Sequence, residues 1–392
     1  MTHPGAATDP GSRASAAPGG AAPICDLIVL TWNHLEATRT CLESLFRVTT
    51  VPCRLIIVDN GSEPAVRAYL GALRPQGAIQ DILLLQNETN EGFPRGMNRG
   101  LRASTAPYVC LLNNDLTMTA GWLRTMLEIA ESVPTVGVLN PASNTLGSRP
   151  AAGASLDDHA GQLKARRGEF VEVGMCIGFC MLIKREVIAR IGLLSEGIDR
   201  LFFEDEDFCM RAQRAGFRCV VVSAAYVFHE EHHSVRDVPE REALFRKNQR
   251  WCYERWGRWV RVAWPRFTPP SPGSEELLGW LLRLVALARQ RTLVYVLCPL
   301  PPGVSGEALF RSVGLVPHAD IQWVPLSRPA RWNASWRVLA RRKKRFDLLI
   351  SPDPAWGRLM VRLRGLHRAR VVPETDEAQL LAQCQRCSRS LS

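Results

Sequence analysis

From Ile24 onward, apolar β-branched runs alternate with segments of helical period, and this alternation constrains the fold more than any other feature. Strands are predicted at Leu27–Thr31, Leu55–Asp59, Ile82–Leu85, Tyr108–Asn113 and Val136–Leu139, with helical patterns between them such as Leu35–Phe46 and Trp122–Ser132. That spacing predicts βαβ units and an α/β fold with a mostly parallel sheet flanked by helices. Such sheets bind ligands outside the carboxyl ends of their strands. The residues that close each run are therefore the first candidates for chemistry. The run Tyr108–Leu112 is closed by Asn113-Asn114-Asp115. A carboxylate at a strand exit can hold a hard divalent cation, and magnesium-type ions take only one or two protein carboxylates. A second acidic cluster, Glu204-Asp205-Glu206-Asp207, follows. Two acidic sites suggest one for a metal and one for proton transfer.

The length of 392 residues predicts two or three domains. Val171–Ile183 and Cys219–Phe228 add apolar strands, with the acidic helix between them, while Asn140–Gly168, rich in Ser, Gly, Ala and Asn, reads as a long flexible loop. The proline run Pro265–Pro272 reads as a linker, after which the alternation restarts. The expected division is a disordered tail (1–23), a first domain (24–264), a linker (265–273) and a smaller C-terminal α/β module (274–392). Within that module, strands are expected at Leu293–Leu297, Ile321–Val324 and Phe346–Ile350.

A net charge of +11 implies anionic partners: nucleotides, diphosphates, a membrane surface or nucleic acid. The 12 cysteines are scattered, mostly inside apolar runs, as reduced core cysteines are, which points to the cytoplasm. Cys384-x-x-Cys387 lacks the second pair that a zinc site needs. No apolar run is long and uninterrupted enough to span a bilayer, so any membrane contact is expected at the surface, on the inner face. Trp251, Tyr253, Trp256, Trp259 and Trp264 interleave with five arginines up to Arg266. Such a stretch suits either a membrane interface or packing between the two domains.

Read in order, the first domain gives L-I-V-L-T-W-N-H, L-I-I-V-D-N-G-S, N-E-G-F-P-R-G-M-N-R-G, Y-V-C-L-L-N-N-D, G-F-C-M-L-I-K-R-E-V, F-F-E-D-E-D-F-C-M-R and V-F-H-E. This series, from about Ile24 to Trp259, resembles the family 2 glycosyltransferases, inverting enzymes of the GT-A fold. It looks closest to the branch with bacterial rhamnosyl- and galactofuranosyl-transferases.

The resemblance implies roles. Asp59 would read the base of a nucleoside diphosphate sugar, with Thr31 and Glu36 near the nucleoside. Gly92, Gly96 and Gly100, with Arg95 and Asn98, match a glycine-rich segment where backbone approaches the donor and Arg95 meets phosphate. Asn113 stands where the family often has an aspartate, so it and Asn114 would contact ribose or phosphate, with less negative charge around the metal. Asp115 and His229 would hold Mn²⁺ or Mg²⁺. Glu204-Asp205 maps onto the family's Glu-Asp pair, with Asp205 as general base, while Asp207 and Arg211 form a structural i,i+4 pair. The acceptor would be a glycan or lipid-linked glycan of cell-wall or polysaccharide biosynthesis.

Three rivals exist. A nucleotide-sugar-binding or scaffold protein would carry a decayed site, which the retained Asp115, Asp205 and His229 argue against. A nucleic-acid binder rests on charge alone and has no recognition motif. His229-Glu230-Glu231-His232-His233 satisfies H-E-x-x-H, but that motif needs both histidines on one helix face, and the residues before His229 are strand-forming.

Overall fold

The computed structural model describes residues 22–230, 240–341 and 343–389. They form two compact units. The first comprises the described residues up to Glu169 together with Cys176–Phe217 and Val221–Gln249; the second comprises Phe170–Met175, Arg218–Val220 and the chain from Arg250 on. His232 and His233, and with them the H-E-x-x-H pattern, lie outside the described residues.

In the first unit, β1 (Cys25–Thr31), β2 (Cys53–Asp59), β3 (Ile79–Gln86) and β4 (Tyr108–Asn113) form the parallel run β3-β2-β1-β4. The short β5 (Leu116–Met118) and β6 (Val136–Ala142) follow; β7 (Phe170–Val173) falls in the second unit, and β8 (Cys180–Lys184) and most of β9 (Arg218–His229) return to the first. β8 runs antiparallel to β4 and β6, and β5 antiparallel to β9. Helices α1 (Leu35–Val48), α2 (Pro64–Ala72), α3 (Phe93–Ala103), α4 (Trp122–Ser132), α5 (Leu156–Leu163), α6 (Arg185–Ile191) and α7 (Glu204–Arg214) connect the strands. The central strands are buried on both faces: Leu27, Ile28, Val29, Leu55, Ile56 and Ile57 are all inaccessible. That is why they read as continuous apolar runs.

The second unit holds a five-stranded, wholly parallel sheet, in the order β12-β11-β10-β13-β14. Its strands are β10 (Val260–Pro265), β11 (Thr292–Cys298), β12 (Ile321–Pro325), β13 (Leu348–Ser351) and β14 (Arg370–Pro373). Its core gathers Val262, Trp264, Trp280, Leu284, Val296 and Ile350.

Three expectations are corrected here. The first domain does not run to Trp264: β10 is the middle strand of the second sheet, hydrogen-bonded to β11 and β13. The proline run that reads as a linker joins β10 to the helix Glu275–Ala288 inside one unit. The stretch Asn140–Gly168 is not a structureless loop. It contains α5, whose start is fixed by a capping box in which Ser155 and Asp158 exchange hydrogen bonds. The aromatic-basic stretch packs within the second unit. Trp264 is inaccessible, Arg255 covers the Trp251 and Trp256 rings at 5.3 Å, and Arg291 covers Tyr253 and Trp259 at 5.5 and 5.7 Å.

All twelve cysteines are buried. Burial pushes the Cys384 thiol up to about 12, and it lies with Cys387 in the second core. No described helix is long and apolar enough to cross a membrane.

Candidate functional site

The parallel register sets the ends of three strands side by side: Thr31 of β1 faces Asp59 of β2, and Leu30 faces Asn113 of β4. Thr31 and Asn114 are buried and share a small polar cluster with α1. Asn114 Nδ2 donates to Thr38 Oγ1 at 2.9 Å and to Thr31 Oγ1 at 3.4 Å, and the two hydroxyls are 3.0 Å apart. Asp59 is inaccessible. Its Oδ1 accepts the Ser62 N–H at 2.9 Å, so it does bind the turn before α2. Its Oδ2 lies 3.4 Å from Arg67 Nε without hydrogen-bond geometry, and no partner satisfies it. Next to it, Asn60 Oδ1 accepts from Asn87 Nδ2 at 2.8 Å, and Asn60 Nδ2 donates to Asn90 Oδ1 at 2.8 Å and to the Gly92 carbonyl at 3.3 Å.

Asp115 follows β4 directly, and His229 is the last residue of β9, brought across by the antiparallel pairing of Leu116 with His229. His229 Nε2 lies 3.2 Å from Asp115 Oδ1, yet that buried oxygen has no hydrogen-bond partner. In the tautomer with Nε2 unprotonated, the two atoms present lone pairs to each other and could share a cation. The imidazole is held on every side. Thr145 Oγ1 lies 3.0 Å from Nδ1, the backbone of His229 exchanges hydrogen bonds with the Asn144 side chain, and Phe179 stacks on the ring at 5.2 Å. If Thr145 accepts the Nδ1 proton, Nε2 keeps its lone pair for a metal, the usual arrangement for a ligating histidine. Among the described residues no three His, Cys, Asp or Glu side chains gather as a metal cluster. Of the two donors present here, the Asp115 carboxylate fits a hard magnesium- or manganese-type ion, and the imidazole nitrogen is a softer ligand than such ions usually take.

Glu204 and Asp205 open α7. The chain reaches them through left-handed backbone at Arg200 (φ 54°), Phe202 (φ 74°) and Phe203 (φ 73°). Side chains rarely adopt that region, each instance costing roughly 1–3 kcal/mol, and such strain concentrates at functional sites. Gly92 belongs to the same construction: at φ 84° it lies so close to the Arg200 backbone that a Cβ would sit 2.5 Å from the Arg200 Cα. Asp205 Oδ2 accepts the Gly178 N–H at 3.2 Å and its Oδ1 that of Glu206 at 2.7 Å. Burial pushes its pKa up to about 6, against those two hydrogen bonds. Burial first, and the Asp205 charge second, push Glu204 up to about 8, and its buried Oε2 has no partner.

The dipeptide Gly178-Phe179 joins the two clusters: Gly178 touches Asp205 and Phe179 covers His229. Asn140 fixes this dipeptide from β6, donating to the Ile177 and Cys180 carbonyls at 2.9 and 2.6 Å and accepting from Ile177 N at 2.7 Å. Beside α7, Phe202, Arg241, Glu242, Phe245 and Arg246 line a cavity of about 290 Å³.

Other expected residues stand apart from these clusters. Glu36 is exposed on α1, 3.8 Å from Arg39, and Arg95 is exposed on α3. Asn98 is consumed by structure: it donates to the Leu194 carbonyl and Glu196 Oε1 at 2.9 Å and accepts from Leu194 N at 3.0 Å. Gly96 and Gly100 are packing glycines. A Cβ on either would come within 2.5 Å of Leu30 or Ile28, so they seat α3 on β1 rather than admit a ligand. Asp207 is structural as expected, bound by Arg211 Nε at 2.8 Å and by the Ser195 hydroxyl. The sequence reading missed Asn140, Asn144, Thr145 and the part Gly178-Phe179 plays between the two clusters. The G-F before the β8 run is the one signal that marks them.

Residues 26–192 match the protein family described as Glycosyl transferase family 2, and residues 111–308, just over half of the chain, match Glycosyl transferase family group 2. The chain belongs to glycosyl transferase family 2. Among relatives, an uncharacterized protein y4gI of Sinorhizobium fredii is 28% identical, over 60% of this chain and 28% of its own. A pre-mycofactocin glycosyltransferase of Mycobacterium tuberculosis is 28% identical, over 49% of this chain and 40% of its own. An N-acetylglucosaminyl-diphospho-decaprenol L-rhamnosyltransferase of the same species is 26% identical, over 54% of this chain and 77% of its own. The chain thus spans less than half the length of the first two. A solved Staphylococcus aureus TarS fragment (residues 1–349) in complex with UDP-GlcNAc aligns at 16% identity and TM-score 0.43, covering 58% of this chain and 66% of its own. A Pyrobaculum calidifontis mannosyltransferase with GDP-Man and Mn²⁺ aligns at 16% and 0.41, covering 56% and 60%.

Proposed function

We propose that the chain is an inverting glycosyltransferase that moves a sugar from a nucleoside diphosphate sugar to a hydroxyl of a glycan or lipid-linked glycan. The observation that carries this reading is the pair Glu204-Asp205, one buried and one half-buried carboxylate with raised pKa values and no ion pair to a cation among the described residues. Perturbed acids in a strained, water-poor site are the mark of proton-transfer chemistry. Asp205, pushed up to about 6, is ionised near neutral pH and basic enough to take a hydroxyl proton. The acceptor oxygen forms a bond to the anomeric carbon, the bond from that carbon to the diphosphate breaks, and Asp205 receives the proton. Glu204, held protonated up to about pH 8, leaves Asp205 as the single charged base. A divalent ion, held by Asp115 and His229, would neutralise the leaving diphosphate. Asp59 Oδ2, buried and unsatisfied, fits a base N–H of the donor. The cavity beside α7 suits an acceptor, with phenyl rings for a sugar face and guanidiniums for phosphate.

The test is thermal stabilisation by a panel of nucleotide sugars with Mn²⁺, since a ligand that binds only the native state raises its melting temperature. A subset of donors should stabilise the protein. EDTA, or Asp115→Ala, should remove the effect. Equal stabilisation in EDTA would contradict the assigned ion site, and no stabilisation by any donor would contradict the function.

A further inference from the structure

The second unit presents an apolar patch on strongly basic ground. The helix Ala330–Leu339 buries Ala334, Ser335 and Val338 and turns Trp332 and Trp336, one helical turn apart, outward at 76% and 70% exposure. The same chain buries Trp122, Trp264, Trp280 and Trp356 almost completely, so these two indoles are not overflow from a crowded core. This helix packs beside the short helix Arg364–His367, whose Leu366 is also exposed, and the preceding helix Pro354–Arg362 exposes Leu359 and Val361. Between Arg328 and Arg345 the sequence has eight Lys or Arg residues and no Asp or Glu. The nearest acids are engaged internally. Asp347 accepts the Arg261 N–H and pairs with Arg258, and Asp353 caps its helix and pairs with Arg331 at 3.2 Å. Arg337, Lys343, Lys344, Arg362 and Arg364, on the same helices or just after them in the chain, are exposed.

We propose that this face docks the protein on an anionic bilayer surface. Indoles partition into the headgroup layer, where an apolar ring meets hydrocarbon and an N–H meets water. Lysines and arginines beside them are attracted to acidic headgroups, and the pull fades within a Debye length. A second copy of the chain is disfavoured as the occupant, because like faces would bring two basic fields together. The contact is peripheral, with no described helix able to span the membrane. The inference is independent of the reading of the first unit's site, and it moves the expected membrane contact from Trp251–Trp264 to Trp332 and Trp336.

The experiment is sedimentation of the full chain with vesicles of phosphatidylcholine alone or mixed with phosphatidylglycerol, at low and high salt. The protein should pellet with the mixed vesicles and not with phosphatidylcholine alone, and high salt should release it. Trp332→Ala with Trp336→Ala should lower partitioning about tenfold or more, and Lys343→Glu with Lys344→Glu should do the same by removing charge. Because all four side chains are exposed, melting temperature and donor hydrolysis should stay unchanged in both variants. Variants that pellet as well as the wild type would overturn the proposal, as would a wild type that ignores anionic vesicles at low salt. A dimer or a complex with single-stranded nucleic acid that the tryptophan variant abolishes, without any vesicle binding, would assign the face to that partner instead.

Discussion

Glu172 in the second unit and Glu204 in the first are equally cut off from water, at 3% and 8% exposure, yet they are built in opposite ways. Glu172 is gripped by two arginines, Arg218 at 2.8 Å and Arg289 at 2.5 and 3.0 Å. Burial alone pushes its pKa up, but the Arg289 hydrogen bond and both guanidinium charges outweigh it, and the result lies below the usual value. Glu204 has Asp205 beside it and, among the described residues, no cation paired with it, and burial pushes it up to about 8. Burying an ion costs several kcal/mol unless it is paired. The first arrangement meets that cost locally and is an anchor. It ties Phe170–Val173 into the second unit, of which that strand is part, and the Glu172 backbone also hydrogen-bonds Pro317 and Ala319 there. The second leaves the cost standing, and strained backbone leads into it. An uncompensated acid of that kind is kept for what it does rather than for what it holds.

The largest expected effect separates the two by activity. Asp205→Asn keeps the shape of the side chain and its place at the start of α7 but removes its basicity. Turnover, read as donor hydrolysis or transfer, should drop about 10²–10⁴-fold with donor affinity little changed. Glu172→Gln should leave turnover per folded molecule near that of the wild type. If both variants lost turnover equally, the distinction between anchor and reacting group would fail.

The next effect is on stability. Glu172→Gln leaves Arg218 and Arg289 without their charge partner, and unfolding in urea should show a loss of about 3 kcal/mol. A change under about 0.5 kcal/mol would show that the two partly exposed arginines are satisfied by water instead.

The last effect has the opposite sign. The folded-state pKa of Glu204, about 8, stands above its usual value of 4.5, so the native protein keeps a proton that the unfolded chain gives up. Stability therefore falls as pH rises from about 4.5 to about 8. Glu204→Gln should match the wild type at low pH and become progressively more stable than it in urea unfolding as pH rises towards 8. Its rate should rise with pH through about 6, as Asp205 ionises, and should lose any alkaline limb near 8.

The parts of this centre differ in how legible they are. Asp59, Asp115 and His229 could be nominated from the sequence because each follows a strongly apolar run, and strand ends in a parallel sheet are where ligands gather. Asp205 could be read from its acidic cluster. Asp207, two residues on, differs only in three dimensions, where Arg211 and Ser195 claim it. Asn140, Asn144 and Thr145 could not be read, since they act through carbonyls and a ring nitrogen brought to them by β8 and β9, and polar residues in such a segment carry no period. The glycines misled in one respect: Gly96 and Gly100 have the spacing of a ligand loop but serve helix–sheet packing. The domain boundary was hidden because a proline run looks the same whether it links domains or joins a strand to the next helix. The exposed Trp332 and Trp336 share a helix with buried Ala334 and Val338, and only packing shows which side faces out.

The most direct test of the contrast between the clusters is to titrate their carboxyl carbons by NMR in selectively labelled protein. Resonances would be assigned by their disappearance in Glu172→Gln, Glu204→Gln and Asp205→Asn. The account predicts that Asp205 titrates near 6, Glu204 near 8 and Glu172 below the usual range for a glutamate. Glu204 and Asp205 titrating together with exposed carboxylates would contradict it, because the pair would then be compensated by something other than protein and would have no special claim to proton transfer.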